Sequence, residues 1–303
     1  MKFQNKKNKV NKRGMIKIQI SGWLVLLPAV LIMYLFIWRG TVMGAVWSFY
    51  EMRGFHPEGF AGLKNYIQVV NDSQFLPIIF NTVKYVVLSL IVGFVPPILF
   101  AVMINEMVHF KQGLMTIAYL PAIIPAVAAM LMWTQMYDPS PMGLFNIILS
   151  KFGVAPYEWL NDGRFTILYI IIYMTWKGMP GTLLLYYASL QSVSSDLYEA
   201  AIIDNAGIFR RIWNVTLPQI SGVLVLNFVT QIIGVFQILD QPLAMTGGGP
   251  NGASISVGFQ IYRYGFVTGR AGNAMALSVI IFILLMIITC FYFRLEKKIS
   301  ENY

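Results

Sequence analysis

Cysteine, histidine and charge are what this chain has least of. Its 303 residues hold one cysteine, Cys290, and two histidines, His56 and His109. One thiol builds neither a disulfide framework nor a thiolate metal cage, and two imidazoles far apart in sequence are too few for a zinc or redox centre. Charged residues make up 12% of the chain against 57% hydrophobic. That leaves too little polar surface to wrap a soluble globule, so the solvent of most of this chain is lipid. Soluble insertions are lacking too: the longest inner connection is about 30 residues, short of the ~50 of a small domain, which argues against a membrane signalling subunit. A secondary transporter or channel is an alternative of another class, but the inverted repeats and dense intramembrane ionisable residues expected of it are not visible.

Six apolar runs are present, each of roughly the 20 residues needed to cross ~30 Å of hydrocarbon. They cover about residues 20–38, 78–104, 114–136, 165–190, 220–239 and 274–293. The first is too long for a cleaved signal peptide and lacks a small-x-small cleavage site. The expected fold is therefore all-α, a polytopic membrane helical bundle of six transmembrane helices over residues 20–293. A basic tail (1–19) precedes it and a short tail (294–303) follows. Lys2, Lys6, Lys7, Lys9, Lys12, Arg13 and Lys17 at one end, with Arg294, Lys297 and Lys298 at the other, place both termini in the cytoplasm. The net charge of +9 is mostly this signature. A basic arm ahead of a membrane helix sets topology and meets anionic lipid, so nucleic acid is not the expected partner. Pro96 and Pro97, Pro121 and Pro125, and Pro180 are expected to kink or interrupt spans two, three and four.

Between spans four and five, residues 196–218 read DLYEAAIIDNAGIFRRIWNVTLP. Three acids, two arginines and several small residues make this neither a span nor an ordinary loop. Asp196 is a candidate N-cap with Glu199 three residues on as in a capping box, and EAAII continues as helix. Asn205 and Gly207 tolerate left-handed backbone, so a bend is expected there, followed by a second short helix carrying Arg210 and Arg211. The stretch reads either as an interfacial amphipathic turn with arginines reaching lipid phosphates, or as a docking surface for a cytoplasmic partner.

In span five, Asn227, Thr230, Gln231, Gly234, Gln237 and Gln241 recur at helical spacing within about a third of the circumference. Such a stripe faces protein or water rather than lipid, and its neutral amides and hydroxyls suit an uncharged polyhydroxylated ligand better than an ion. Span four adds Tyr169, Tyr173 and Trp176, whose faces can stack on sugar rings, with Tyr169 also suited to the interfacial belt. Packing through interhelical hydrogen bonds is the other reading of both stripes. Lys177 has three readings: a partner for an acid of another subunit, a contact to an acidic sugar, or a side chain snorkelling to a wet cavity.

Glu199, Ala200 and Ala201, Asn205 at the glycine position, and Val215, Leu217 and Pro218 resemble the EAA motif of binding-protein-dependent ABC importer permeases, E-A-A, three residues, G, nine residues, I-x-L-P. Asp204, Ala206 and Gly207 fit the fuller pattern of carbohydrate permeases. FAGLKNYIQVV (60–70) with NTVKY from Asn81 is similar to the first external loop and second span of maltose-type permeases. MTGGGPNGAS (245–254) is similar to the last external loop of the F-like subunit. The resemblance implies a permease subunit, not an enzyme, that pairs with a second permease as a heterodimer. It also implies an ABC ATPase dimer that binds ATP and Mg and receives the EAA helices, and an extracellular solute-binding protein on the loops after spans one, three and five. No cofactor is expected in this chain itself. The implied cargo is a carbohydrate, an oligosaccharide or glycoside, carried across the bacterial cytoplasmic membrane; the alternative cargo is a polar non-sugar solute such as a glycerophosphodiester.

Residues 247–254, G-x-x-x-x-G-A-S, nearly match a nucleotide-binding P-loop. Ala253 replaces the phosphate-contacting lysine, no buried strand precedes the loop, and the topology puts it outside the cell. The purified chain alone is therefore expected neither to bind nor to hydrolyse ATP. Photolabelling with an ATP analogue checks this, and specific labelling of this polypeptide would refute it.

Overall fold

The computed structural model describes residues 12–107 and 109–300. Residues 1–11, with four lysines of the basic tail, and residues 301–303 lie outside the described residues, so the charge pattern that sets topology is not seen. Four helices are long and apolar enough to cross a membrane, Gly22–Trp47, Phe75–Glu106, Thr166–Gln191 and Ala271–Arg294. Two bent helix pairs pass the same test, Lys111–Ile123 with Ala126–Met136 at 96° and Ile208–Gln219 with Ser221–Phe236 at 73°; counted as one span each they bring the total to the expected six, and the spans are numbered on that count.

The first span comprises α1 (Lys12–Met33), a π turn (Tyr34–Trp38) and α2 (Arg39–Trp47). Helix thus already covers residues 12–19, expected as tail, and runs nine residues past the expected end at 38. Its most apolar stretch is unburied by the rest of the chain. A two-stranded antiparallel hairpin follows, β1 (Tyr50–Arg53) and β2 (His56–Phe60), with Tyr50 opposite Phe60 and a bulge after Glu51. It was not expected from the sequence, whose apolar periodicity there is too short to read. Helix α3 (Lys64–Val70) packs this hairpin onto the bundle: the buried Asn65 amide donates to the Ser48 and Tyr50 carbonyls.

Span two is α4 (Phe75–Leu88), a π turn (Ser89–Gly93) and α5 (Val95–Glu106), with Pro96 and Pro97 in the first turn of α5, where a missing N–H is tolerated. Span three divides into α6 (Lys111–Ile123) and α7 (Ala126–Met136). Pro125 has no N–H for the Pro121 carbonyl, so the helix stops there. The donor that replaces it is Lys177, whose ammonium bonds Pro121 O at 2.6 Å, Ala122 O at 3.4 Å and Ile124 O. A cation on the last carbonyls of α6 also meets the negative end of that helix. Of the three readings of Lys177, none named this clamp. After α8 (Leu144–Lys151), span four is α9 (Thr166–Gln191); of the kink or interruption expected at Pro180, the interruption does not occur, and the helix runs on through that residue.

A connection of α10 (Ser195–Ile203), α11 (Ile208–Arg211), a π turn (Ile212–Thr216) and α12 (Leu217–Gln219) leads into span five, α13 (Ser221–Phe236). Span five ends at Phe236 rather than 239, and α14 (Asp240–Thr246) starts a new direction. The last turn tightens, with Gln237 N donating to Gly234 O at 3.1 Å and Ile238 N to Val235 O at 3.3 Å, and the Ser256 hydroxyl donates to Ile238 O at 2.5 Å. Helix α15 (Val257–Tyr262) then crosses close by; a Cβ on Gly258 would lie 2.6 Å from Ile238 O. Helix α16 (Ala271–Ser300) is span six and continues through residues expected as tail.

Alternating chain direction puts the hairpin, α3, α8 and residues 237–270 at one end of the bundle, here the upper end, and residues 192–220 at the other, the lower end. Helix α9 packs against α4, α5, α6 and α13 and is the centre of the bundle.

The Lys177 clamp generates a test of the fold. Lys177→Met leaves the Pro121 carbonyl without its donor and is expected to cost about 1 to 3 kcal/mol. Thermal unfolding in detergent measures this, and an unchanged transition would show that the clamp is dispensable.

Candidate functional site

At the lower end, Ser194 rather than Asp196 is the N-cap of α10: its hydroxyl accepts from Asp196 N at 3.3 Å, and Glu199 takes no part in a capping box. The helix ends in a Schellman arrangement, with Ala206 N donating to Ala201 O at 2.9 Å and Asn205 N to Ile202 O at 3.0 Å. This closure needs left-handed backbone at Asn205, where φ is 52°. Gly207 instead has φ −62° and ψ 165°, extended backbone open to any residue, so the bend turns on Asn205 alone. The Tyr198 and Thr216 hydroxyls lie 3.3 Å apart and tie α10 to the following π turn. The connection is a single folded knob. It carries Glu199, Ala200 and Asp204 on its surface, while Leu217 and Pro218 form its exit into span five. Ile203, Phe209 and Trp213 stand out from it, 80%, 77% and 69% exposed.

A cavity of about 290 Å³ lies where spans two, four and five cross. Asn227, Thr230 and Gln231 of α13 line it, as the sequence stripe anticipated for those three. Gln237 and Gln241 do not, because α13 stops before them and residue 241 belongs to α14. Gly234 is exposed, without a neighbour where a Cβ would stand, and is not part of the lining. Tyr173 and Trp176 also face elsewhere: Tyr173 is buried with its hydroxyl on Ala126 O at 3.3 Å, and Trp176 packs on Trp133 in an aromatic cluster with Tyr137 and Tyr169. The cavity face of α9 is the other one, where Thr175, Gly178 and Thr182 stand. Small residues at 175, 178 and 182, spaced three and four apart, were the signal that aromatic side chains obscured. Span two contributes Ser89, Gly93 and Pro97. A Cβ on Gly93 would lie 3.0 Å from Gln231 Nε2 and 3.2 Å from Thr175 Oγ1, so glycine lets three helices converge.

Hydrogen bonding divides the lining into fixed and available groups. Gln231 Nε2 donates to Ser89 O at 2.6 Å and Thr175 Oγ1 to Ile171 O at 2.8 Å, which hold the wall. Asn227 Nδ2 and the Tyr186 hydroxyl face each other; both are buried, and neither bonds any other group. No lining residue is ionisable.

At the upper end the two stretches that resemble maltose-type loops meet. Asn81 Nδ2 donates to Gly252 O at 2.9 Å and Ile255 O at 3.2 Å, Tyr85 Oη donates to Ser254 O at 3.1 Å, and Thr82 Oγ1 accepts from Val257 N at 2.9 Å. Ser254, at the position of a P-loop serine, is fully buried and bonded to Thr246 Oγ1 and Gly249 O, so it has no hydroxyl to offer a nucleotide. Two carboxylates here are held below their usual range: Asp162 by Arg164 first and Tyr157 second, and Asp72 by the Tyr264 hydroxyl.

A bundle of long apolar helices with an uncharged cavity where three of them cross and a folded knob at one end is the architecture of a membrane transport subunit. Residues 85–301 match the family described as binding-protein-dependent transport system inner membrane component, and the chain belongs to it. The chain is 34% identical over 278 residues to the trehalose/maltose transport system permease protein MalF of Thermococcus litoralis, covering 91% of this chain and 93% of that one. It is also 34% identical over 288 residues to the sn-glycerol-3-phosphate transport system permease protein UgpA of Yersinia pestis, covering 91% and 94%. Its fold matches a chain of the crystal structure of a bacterial ABC transporter involved in the import of the acidic polysaccharide alginate, with TM-score 0.84, 24% identity, and 95% and 98% of the two chains covered. A second such structure holds that transporter in complex with an alginate pentasaccharide-bound periplasmic protein. The protein is thus a non-catalytic, multi-pass permease subunit of a binding-protein-dependent ABC transporter of the cytoplasmic membrane.

The knob's closure generates its own test. Asn205→Gly keeps the left-handed position, whereas Asn205→Val forces a β-branched residue into it at a cost of about 1 to 2 kcal/mol. Limited proteolysis across residues 203–207 is expected to speed up about tenfold for valine and to stay unchanged for Asn205→Gly and Gly207→Ala. Equal protection of the valine variant would refute the closure.

Proposed function

We propose that this subunit carries an uncharged carbohydrate, and that the cavity at the crossing of spans two, four and five is part of its path. The observation that carries the reading is the lining: it holds no ionisable group, and its polar positions are the hydroxyls of Ser89, Thr175, Thr182 and Thr230 and the amides of Asn227 and Gln231, set among apolar side chains. Such a wall can exchange hydrogen bonds with sugar hydroxyls in either direction, while a buried anion there would lack the cation it needs. The relatives' cargoes include a neutral disaccharide class, a glycerol phosphate and an acidic polysaccharide; the neutral wall favours the first. Lys177 is the residue that an anionic solute such as a glycerophosphodiester would require, and its ammonium is already committed to three carbonyls of span three.

In this reading residues 196–218 enter a cleft of an ABC ATPase dimer, which binds ATP and Mg. Glu199, Ala200, Ala201, Asp204 and the exposed Ile203, Phe209 and Trp213 form the contact. Water does not favour three large apolar side chains left open, and a partner surface would cover them. The lower end is then cytoplasmic, as are both termini. The unburied first span lies against lipid and a second permease, forming a heterodimer, and a solute-binding protein docks on the upper loops.

The test is uptake by the assembled transporter in proteoliposomes, with radiolabelled maltose or trehalose and radiolabelled sn-glycerol 3-phosphate compared. Neutral disaccharide is expected to enter. Asn227→Leu should lower that uptake about tenfold, the loss of about 1.4 kcal/mol of hydrogen bonding, without lowering ATPase co-purification. Uptake of the phosphate alone would sink the neutral-sugar reading. Normal uptake by the leucine variant would remove the cavity from the path.

A further inference from the structure

The knob sits between cavity-lining residues in sequence, and among the described residues one polar contact also joins it to a helix it does not follow. Arg211 Nη2, at the end of α11, lies 3.3 Å from Glu106 Oε2, at the last residue of α5. The two side chains are 18% and 27% exposed, and Arg211 Nε is buried with no other partner. A pair this sheltered is screened far less by salt than the open pairs at the upper end, such as Arg53 with Glu58. One residue away, Asn105 Oδ1 accepts from Gln191 Nε2 at 2.6 Å, which fastens the same end of span two to the end of span four.

Mechanically, the knob has two exits. One is covalent, through α12 and the 73° bend at Ile220 into α13 and thus to Asn227 and Gln231. The other is this ion pair, which leads up α5 to Pro97, Gly93 and Ser89. Those residues form the cavity wall opposite α13, with Gln231 closing the circuit onto the Ser89 carbonyl. A knob that moved while attached to span five alone would pull one wall of the cavity and leave the other behind.

We propose that the Arg211–Glu106 ion pair is a positioning latch: it makes span two move with the knob, so that displacement at the lower end alters both walls of the cavity together. This rests on the reading of residues 196–218 as the ATPase-docking element. The Asn105–Gln191 bond keeps span four within the same unit.

The experiment uses the assembled complex purified through a tag on the ATPase, with Ser89→Cys as reporter in a Cys290→Ser background. Maleimide labelling of position 89 is timed without nucleotide and with Mg-ATP trapped by vanadate; no transported solute is needed. In the parent complex trapping is expected to change the labelling rate. Glu106→Gln and Arg211→Gln should each cut that change at least fivefold, and Glu106→Gln, which lies outside the docking element, should leave ATPase co-purification and basal hydrolysis in place. The double variant Glu106→Arg with Arg211→Glu should restore most of it, which a role in packing alone would not do. A nucleotide response that survives either single variant overturns the latch, and so does a double variant that restores nothing. Failure of the unaltered chain to co-purify with the ATPase overturns the docking reading, and the latch with it.

Discussion

In a medium without water, a backbone carbonyl without a helical donor has to find another, and two such carbonyls tie this bundle together where its helices end. Pro125 strips Pro121 O of its donor, and Lys177 of span four supplies a cation in its place. Ile238 O, just past the end of α13, takes the Ser256 hydroxyl. Each donor comes from a distant helix or loop, so each of these helix ends is also a cross-link. The helices on either side of the Pro125 break differ in direction by 96°. The result is a central helix, α9, held against its neighbours by direct polar contacts as well as by packing.

The cavity is a by-product of the same economy. Spans two, four and five converge because Gly93 offers no Cβ at the crossing, and the Gln231 amide spends its donor on Ser89 O rather than on a ligand. The Asn227 amide lies on this wall too, facing the Tyr186 hydroxyl. In the proposed reading, an amide and hydroxyls on a wall without ionisable side chains favour a neutral solute over an anionic one, where relatives of equal identity do not separate the two.

Rigid parts at both ends frame that cavity. At the upper end Asn81, Thr82 and Tyr85 bind the backbone of residues 252–257, so two sequence stretches about 170 positions apart form one cap. At the lower end the Schellman closure at Asn205 and the Tyr198–Thr216 contact make the knob a unit, and Arg211 fastens it to span two.

Composition and local pattern were enough for the membrane, the six apolar runs, the knob with its left-handed asparagine, and the three polar residues of span five that line the cavity. These are properties of near neighbours in the chain: the length of an apolar run, the period of a helix, the tolerance of Asn for positive φ. Proline positions also announced the break in span three. What they could not announce was the identity of the replacement donor, because Lys177 lies more than 50 residues from the carbonyls it bonds. The same reason accounts for the misplaced residues. Helical period alone extended span five to Gln237 and Gln241, although α13 ends at Phe236, where Ile238 O takes the Ser256 hydroxyl. Aromatic chemistry favoured Tyr173 and Trp176, but packing against α7 turned them away and left the cavity to Thr175, Gly178 and Thr182. Sequence determined which segments are apolar enough for lipid and that prolines break span three. Only the tertiary structure decided which distant group repairs that break, where span five ends and which polar groups line the cavity, because a hydrogen bond is assigned by proximity in space and not by order along the chain.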